Sequence, residues 1–321
     1  MHPIRTASES FFLYNYMNQK PRTIQEQLTR LKEKGMVFND ERTASSYLAR
    51  ISYFRLKYYW VDMLDMSTDH FVDDANINTI IERYEFDKKL RNILFGAIEI
   101  LEVGLRTKFI TTLSLATDTG LWYLDNSLFD NQQFHTNLVL DMKYEFNRNS
   151  DPFVRQYIAE HPNWNINSLD GDNPDAWMIF ETATFGTLSK MYKNLLNQSP
   201  LKSGIANEFG LYSARELSSW LEAISVLRNI IAHHSRIWYK IFSKKPTNIN
   251  RHRDKWMLSS LTEHQRKRAF GVISCLLYLC NAINPENTIK QDIKNLFDSY
   301  PNIPVFMIGF TRGWEENPIW E

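Results

Sequence analysis

The sequence predicts an all-α protein, and three observations lead to this prediction. Glycine and proline are scarce, with 11 of each in 321 residues, so few residues favour tight turns. No segment alternates apolar and polar residues over more than a few positions, as a half-buried strand would. The segment from Ile80 to about Ala116 instead repeats apolar residues at helical spacing over its whole length.

Three helices are predicted in the first part of the chain. The first spans Thr23 to Lys34, where apolar residues recur with a helical period and Gly35 provides a stop. The second follows the cap-like Asn39-Asp40-Glu41 and is predicted from Arg42 to about Trp60. A polar stretch, residues 66–78, separates it from the long pattern, which we interpret as one helix or two joined ones.

The rest of the chain is also predicted to be helical, with one less regular region. Residues 118–171 are interpreted as helices of moderate length joined by long connections. Shorter helices are predicted over Pro174–Glu181 and Leu188–Leu196. A longer helix is predicted from Tyr212 to about Phe242, and a buried helix from Phe270 to Ile283.

Charge and cysteine content limit the classes of protein that fit. Lys plus Arg and Asp plus Glu balance at 37 each, so any nucleic-acid surface must be a local patch. Cys275 and Cys280 do not form a CxxC pair and lie in an apolar helical pattern, which predicts reduced core thiols. The chain start lacks the pattern of a signal peptide, and no apolar stretch is long enough to span a bilayer. We therefore expect a soluble, cytoplasmic protein without membrane contact.

One stretch, Ser225 to Lys240, concentrates groups that phosphodiester chemistry needs. Arg228 is followed by Asn229, and His233 comes five positions after the arginine. The planar guanidinium of an arginine pairs with phosphate oxygens, and a histidine can take or give a proton near neutral pH. The sequence therefore nominates Arg228, Asn229 and His233 as candidate catalytic residues.

An uninterrupted helix poses a geometric difficulty for this pair. Residues five positions apart differ by about 140° around a helix, so Arg228 and His233 would not point the same way. They would do so only if the helix ended or bent between them. One solution is a cleft between two copies of the helix that collects both side chains across a twofold axis. Otherwise Arg228 turns inward to a carboxylate and is structural.

A second Arg/His pair, Arg155 and His161, is interpreted as chance. The two residues are six positions apart, and no Asn follows Arg155. His161 precedes Pro162, so we expect it to close a helix. We assign this pair no role in the candidate site.

Three charged residues share a narrow polar face of the long helix. Glu99, Glu102 and Arg106 recur at i, i+3 and i+7, and Glu102 can pair with Arg106 in the favourable i,i+4 orientation. One interpretation is an internal ion pair that stabilises the helix. The other is that one of these carboxylates contacts Arg228 or His233 and orients its side chain, without itself touching the substrate.

Basic residues follow the motif directly. The segment from Ser243 to Arg268 contains eight Lys and Arg residues against Asp254 and Glu263. It is either an ordinary solvated face or a surface that steers RNA phosphates. The candidate RNA contacts are Lys240, Lys244, Lys245, Arg251 and Arg253. Three cations of the second helix also have two interpretations: Arg50, Arg55 and Lys57. They either extend their charged ends to solvent around a core-packed helix or face RNA.

The motif Arg-Asn-x-x-Ala-His-His-x-Arg-x-Trp, residues 228–238, resembles the RxxxxH signature of HEPN-domain proteins. The form is the one seen in the Abi-like abortive-infection family. Other stretches resemble the same family in the expected order: residues 38–56, Tyr84-x-Phe86-Asp87-x-x-Leu90-Arg91, Glu99-x-x-Glu102-x-x-x-Arg106, residues 181–189 and residues 314–320. The resemblance implies a multi-helix HEPN-like bundle over residues 66–300. It also implies an N-terminal helical region over 1–65 and an irregular C-terminal tail over 301–321 packed on the bundle.

The resemblance further implies an activity. In HEPN ribonucleases two such motifs meet in one composite site, and this chain has one convincing motif, so a homodimer is implied. The implied reaction is metal-independent endoribonuclease cleavage by the ribose 2′-OH, with RNA as substrate and no cofactor. His233 would move the proton and Arg228 would hold the phosphate, with Asn229 positioning both. The residues with a supporting role are His234, Arg236, Trp238, Glu99, Glu102 and Arg106. The resemblance also implies a role in bacterial phage defence and a regulatory small RNA as a partner.

A different class of protein fits the same residues. A non-catalytic RNA-binding or phage-sensing protein would use the Arg/His surface to grip phosphates without cutting. A metalloenzyme built on Glu99, Glu102 and a histidine has little support, because no HExxH or clustered His/Cys spacing is present. Serine-hydrolase and phosphate-loop proteins are excluded, because neither GxSxG nor GxxxxGK[ST] occurs.

Overall fold

Helices dominate the structure, a computed structural model that describes residues 20–65 and 67–321. These residues contain thirteen α-helices and one two-stranded hairpin, so the predicted all-α class is confirmed. In chain order the helices are α1 (Ile24–Glu33), α2 (Glu41–Ile51), α3 (Tyr53–Leu56), α4 (Ile77–Thr117), α5 (Gln132–Arg148), α6 (Pro152–Glu160), α7 (Ala176–Ile179), α8 (Phe185–Asn194), α9 (Pro200–Glu208), α10 (Ala214–Ala232), α11 (Glu263–Arg266), α12 (Ala269–Ile283) and α13 (Ile289–Asp298). The hairpin pairs β1 (Leu64–Asp65) with β2 (His70–Phe71) in antiparallel register. None of the described helices is long and apolar enough to cross a membrane.

The chain divides into two compact units, one ending at Tyr84 and the other beginning at Glu85. The division falls inside α4, a single helix of 41 residues that starts in the first unit. The boundary predicted from the sequence, between residues 65 and 66, lies at the start of the polar connection that precedes α4. The long apolar pattern therefore forms one helix, not two joined ones.

The first unit contains the helix pair α1 and α2, which pack against each other. Thr23 caps α1 by accepting the Glu26 N–H, while the Glu26 carboxylate accepts the Thr23 N–H, and the two form a capping box. Asp40 caps α2 by accepting the N–H groups of Arg42 and Thr43. Both predicted helix starts are confirmed to within one residue.

The second helix is shorter than predicted, because α2 ends at Ile51 and not near Trp60. Ser52 has a φ of 75°, which is incompatible with a continuing helix, and short helical turns follow it. Lys57, after this break, is 1% exposed, and its ammonium lies 3.9 Å from the centre of the Phe54 ring. This burial favours the packing interpretation of Lys57 over an RNA-facing one.

Helix α12 lies at the centre of the second unit. Its residues from Ala269 to Cys280 are all buried, and it packs against α10 and α11. Helix α4 approaches it closely at Gly104, where an added Cβ would lie 2.6 Å from the Ile283 side chain. Cys275 and Cys280 are buried and free of disulfides, as predicted for core thiols.

The C-terminal tail contributes aromatic rings to the second unit. Trp314 and Trp320 are 5% and 0% exposed, and their ring centres lie 5.0 Å apart in an edge-to-face arrangement. The Trp320 Nε1–H donates to Ser274 Oγ of α12 at 3.2 Å. The tail is therefore packed into the apolar core that surrounds α12.

His135 on α5 is a buried histidine whose protonation the fold opposes. It is 0% exposed, and its ring stacks on Phe129 with the ring centres 3.6 Å apart. Neither ring nitrogen has a well-formed hydrogen bond within the described chain, and a backbone contact with Tyr123 offsets only part of the desolvation. Burial lowers the pKa of His135 to about 4, so the neutral ring is the form that fits the fold.

We expect His135 to make the protein less stable in mild acid. Its pKa is 6.5 when unperturbed and about 4 in the fold, so its contribution is full above pH 6.5 and is lost as the pH falls toward 4. Urea denaturation at a series of pH values in this window compares the wild type with His135→Phe, which removes the titrating group. The variant should lose part of the pH dependence, whereas His70→Phe, at an exposed position, should keep it. The same pH dependence in the wild type and His135→Phe would contradict this assignment.

Candidate functional site

The candidate site lies at the C-terminal end of α10. Apolar side chains recur along this helix with helical spacing and turn one face into the core, where α10 packs against α8 and α12. Trp220 anchors this face, because it is 0% exposed and its Nε1–H donates to the Thr247 carbonyl at 2.9 Å. Packing thus fixes the helix that carries Arg228 and Asn229 in its last two turns.

Helix α10 ends at Ala232, and the predicted continuation to about Phe242 is wrong. His233 is the C-cap residue, and His234 has a φ of 52°, in the left-handed region. A residue in this conformation stops a helix, because its backbone can no longer continue the i to i−4 ladder. The motif therefore straddles a helix end, with its arginine inside the helix and its histidines just beyond the last turn.

Two backbone hydrogen bonds close the end of the helix. The His234 N–H donates to the Ile231 carbonyl at 2.9 Å, and the Ser235 N–H donates to the Ile230 carbonyl at 2.8 Å. Together they form a Schellman motif, in which glycine is the usual left-handed residue. A histidine at this position costs on the order of 1 kcal/mol in backbone strain. Contacts elsewhere in the fold must therefore stabilise this turn.

The helix end does not by itself bring Arg228 and His233 to the same side. His233 still donates its N–H to the Asn229 carbonyl in the helical i to i−4 pattern, so its Cα stays on the helical path and the angle of about 140° to Arg228 remains within one chain. Arg228 is half-buried, whereas Asn229 and His233 are exposed. No acidic side chain of residues 20–65 or 67–321 forms an ion pair with Arg228, so the carboxylate proposed to turn it inward is not found. All three residues are at least partly accessible to a ligand.

Asp87 of α4 holds the segment that follows the helix end. Its Oδ1 accepts the backbone N–H groups of Ile237 and Trp238 at 3.0 and 2.8 Å. Its Oδ2 accepts a hydrogen bond from Nη1 of Arg91, one turn further along α4. Asp87 is 1% exposed and Arg91 is 7% exposed, so this pair is buried. The carboxylate therefore fixes the backbone three residues after the left-handed turn.

Sequence reasoning missed this role of Asp87. The signal was present, because Asp87 and Arg91 are spaced i,i+4 and each directly follows an apolar residue, Phe86 and Leu90. Phe86 and Leu90 are each 0% exposed. What the sequence alone does not give is the partner, since Trp238 lies 151 positions away.

The supporting residues after the helix end are packed into the fold to different degrees. Trp238 is 1% exposed, and its carbonyl accepts a hydrogen bond from Nη1 of Arg236, which is half-buried. Tyr239 also has a positive φ, 54°. The centre of its ring lies 4.7 Å from the guanidinium carbon of Arg268. His234 is exposed at the turn. Arg236 and Trp238 thus shape the segment, whereas His234 lies on the surface beside His233.

The polar face of α4 forms the predicted ion pair. Arg106 lies 3.5 Å from Glu102 and 3.3 Å from Glu181, and it donates to the Ala183 carbonyl at 3.1 Å. It therefore connects α4 to the turn that precedes α8. Glu99 is exposed, and within the described residues no hydrogen bond joins Glu99 or Glu102 to Arg228 or His233. The carboxylate that contacts the motif segment is that of Asp87. Along the axis of α4, Asp87 lies about 18 Å before Glu99, at a rise of about 1.5 Å per residue.

Ion pairs occupy much of the basic segment after the motif. They join Lys244 to Glu222 at 3.1 Å, Lys245 to Glu263 at 2.7 Å and Arg253 to Asp254 at 3.2 Å. Hydrogen bonds from Lys245 and Lys267 lower the pKa of Glu263 to about 2. Lys240 is half-buried and Arg251 is exposed. Exposed pairs contribute little energy and open readily, so these cations can reach a phosphate when their pairs open.

Comparison with known proteins relates this site to a family. The family model described as Abi-like protein matches residues 46–239, which is more than half of the chain. The matched range includes Asp87, the whole of α10 and the segment through Trp238 that Asp87 holds. No curated protein and no solved structure matches the chain significantly. The chain belongs to the Abi-like protein family.

Proposed function

We propose that the protein acts in bacterial abortive-infection phage defence as a metal-independent endoribonuclease of the HEPN type. Membership of the Abi-like family supports the defence role. The end of α10 supports the chemistry best, because it leaves His233 exposed next to the turns that bear Arg228 and Asn229. The resemblance of residues 228–238 to the RxxxxH signature supports RNA as the substrate.

The proposed reaction is an internal transfer at phosphorus. The ribose 2′-oxygen forms a bond to the neighbouring phosphorus while the bond from phosphorus to the 5′-oxygen breaks. A base takes the proton from the 2′-OH, and an acid gives a proton to the leaving 5′-oxygen, so the products carry a 2′,3′-cyclic phosphate and a 5′-OH. Of the three candidate residues His233 is the one that can exchange a proton, because Arg228 stays charged and the Asn229 amide does not titrate.

A second copy of the chain would supply the second proton-transfer group. One chain carries one motif, and the reaction needs a base and an acid at the same phosphate. In a homodimer whose α10 ends meet across a twofold axis, His233 of one protomer is the base and His233 of the other is the acid. Each protomer also brings one Arg228 to the phosphate.

Arg228 has an electrostatic task at this helix end. The last carbonyls of α10 carry the partial negative charge of a helix C-terminus, which repels a phosphate. A guanidinium on the adjacent turn offsets this repulsion and can bind two phosphate oxygens at once. It also stabilises the charge that develops on those oxygens during the reaction. The proposed partners are therefore the RNA substrate and a second copy of the chain, with a regulatory small RNA as a competitor for the same surface.

A non-catalytic RNA-binding or phage-sensing role is the second candidate function. It is favoured by the single motif of the chain, since an isolated protomer has a phosphate-binding arginine but one His233 for two proton transfers. In this case the same residues hold an RNA phosphate without cleaving the strand. The oligomeric state in solution therefore bears directly on the choice.

Purified wild-type protein incubated with RNA in the presence of EDTA tests the proposal. We expect internal cleavage, with 2′,3′-cyclic phosphate at the new 3′ ends, and a dimer by sedimentation at the same protein concentration. A mock preparation from cells without the gene serves as the control for contaminating ribonucleases. RNA that is bound but stays intact under these conditions would favour the non-catalytic candidate.

A further inference from the structure

A cavity of about 610 Å³ lies in the second unit, between α6, the connection from residue 161 to residue 175, and α7. Ligand sites in proteins commonly have volumes of about 300 to 1,000 Å³. His161 closes α6, as predicted, and contributes to the wall of this cavity. The candidate catalytic residues are not among the residues that line it. The cavity therefore needs an explanation of its own.

Carboxylates without a cationic partner surround this cavity. Glu160, Asp172 and Asp175 line it, and no Lys or Arg side chain does. In the part of the chain that the structure describes, none of the three forms an ion pair. Burial, with a smaller effect of the nearby Asp172 and Asp175, raises the pKa of Tyr157 to about 12.

The other polar groups of the lining mostly present acceptors. His161 Nδ1 lies 2.7 Å from the Tyr157 carbonyl, which can only accept, so Nδ1 carries a proton and Nε2 is the acceptor in this tautomer. Gln156 uses its amide nitrogen to donate to Glu160 at 2.9 Å, which leaves its carbonyl oxygen. Asn173 donates both amide hydrogens to backbone carbonyls of its own loop. A ligand that satisfies this lining must be rich in donors.

Aromatic and apolar surface completes the walls. The rings of Tyr157 and His161 stack in parallel with their centres 3.9 Å apart, and Phe153 lies on the same helix as Tyr157. Leu121 and Met178 line the cavity as well. The lining thus combines negative charge with surfaces that attract alkyl chains and the faces of cations.

A buried lysine outside the lining holds the connection in place. The Lys143 ammonium donates to the Ser168 carbonyl at 2.6 Å and to Asn173 Oδ1 at 2.7 Å, and it lies 4.5 Å from the centre of the Trp164 ring. Gly171 has a φ of 86°, and an added Cβ would lie 2.4 Å from the Asn163 carbonyl oxygen. The loop that carries Asp172 and Asp175 is therefore fixed by specific contacts, and the cavity is preformed.

We propose that this cavity binds a small organic cation, whose guanidinium and ammonium groups lie against different members of the set Glu160, Asp172 and Asp175 and whose alkyl part lies against Phe153 and Leu121. The charge of the lining opposes nucleotides and other anions. The carboxylates do not converge as a metal site, since no group of three or more His, Cys, Asp or Glu side chains in the described residues is placed to hold a metal ion. This site is separate from the proposed ribonuclease site and does not depend on it.

Calorimetric titration of RNA-free protein with agmatine, an alkyl chain with a guanidinium at one end and an ammonium at the other, tests the proposal. Wild-type protein is expected to bind saturably with a stoichiometry of one per chain. Asp172→Asn/Asp175→Asn should bind at least about tenfold more weakly, because charge-assisted hydrogen bonds are lost. Asp141→Asn makes the same charge change at an exposed position of α5 outside the lining and should bind like the wild type.

Two further measurements keep the test independent of folding. Glu160→Gln changes an exposed residue at the end of α6, so it should weaken binding while leaving the melting temperature unchanged. Butylurea, a neutral analogue, should not bind. The proposal is overturned if wild type shows no saturable binding of agmatine at millimolar concentration, or if Glu160→Gln and Asp172→Asn/Asp175→Asn both bind as tightly as Asp141→Asn.

Discussion

Protein carrying His233→Ala is expected to cleave RNA about 10²- to 10⁴-fold more slowly than the wild type, because it lacks the group that moves the proton. Its affinity for RNA should change little, since Arg228 still binds the phosphate. His233 is exposed at the C-cap of α10, and its backbone, not its side chain, forms the hydrogen bond to Asn229 that ends the helix. The substitution should therefore leave the fold intact. Single-turnover cleavage in EDTA and RNA binding by fluorescence anisotropy, on the same samples, measure the two effects.

His70→Ala is the matched control, because His70 is an exposed histidine of the first unit, outside the candidate site. It should cleave at the wild-type rate. Cleavage by His233→Ala at the rate of His70→Ala would show that His233 takes no part in the chemistry. Loss of binding and cleavage together would instead assign His233 a binding role, as the non-catalytic candidate requires.

Asp87→Ala is expected to destabilise the protein by about 3 to 5 kcal/mol, the usual cost of removing one partner of a buried ion pair. The substitution leaves Arg91 buried without its counter-charge, and it leaves the N–H groups of Ile237 and Trp238 without their acceptor. Asp87→Asn should cost less, because its amide oxygen can still accept these two hydrogen bonds. Urea denaturation followed by circular dichroism gives the free energies of unfolding.

Asp141→Ala, at an exposed position of α5, is the control and should change stability by no more than about 0.5 kcal/mol. If Asp87→Ala is as stable as this control, then Asp87 does not hold the motif segment. If Asp87→Asn is folded but cleaves slowly, the segment after the helix end contributes to the geometry of the site as well as to stability.

Elements with strong local signals were predicted well from the sequence. The polar caps at Thr23 and Asp40 fix the starts of α1 and α2, and the apolar pattern of α12 fixes a buried helix. The Glu102–Arg106 pair follows from its i,i+4 spacing, and the structure confirms it. In each case the residues that form the pattern lie within one helix or next to its ends, so the sequence alone indicates the element.

The end of α10 was missed for a physical reason. Ile237 and Trp238 continue the apolar spacing of the helix, and the left-handed position holds His234 where glycine would have indicated a stop. The helix ends there while Asp87, far away in sequence, binds the N–H groups of Ile237 and Trp238. A tertiary contact therefore outweighs local helix propensity, and this contact cannot be predicted from the pattern of neighbouring residues.

The free charge of the basic segment also could not be predicted from the sequence. The sequence gives the number of cations in the segment but not their ion-pair partners, and Glu222, which pairs with Lys244, lies on α10 and not within the segment. Asp254 and Glu263 pair with Arg253 and Lys245. Net charge along the sequence therefore overstates the charge that this surface offers to RNA.

A single 2′-O-methyl group, placed at a mapped cleavage position of an RNA oligonucleotide, tests the central claim most directly. The account predicts that wild-type protein in EDTA no longer cleaves at that position but still cleaves at the others, because the methyl group removes the attacking hydroxyl. The products of the unmodified oligonucleotide should carry cyclic phosphates by mass spectrometry. Cleavage that persists at the methylated position would contradict the account, since the nucleophile would then not be the ribose 2′-OH.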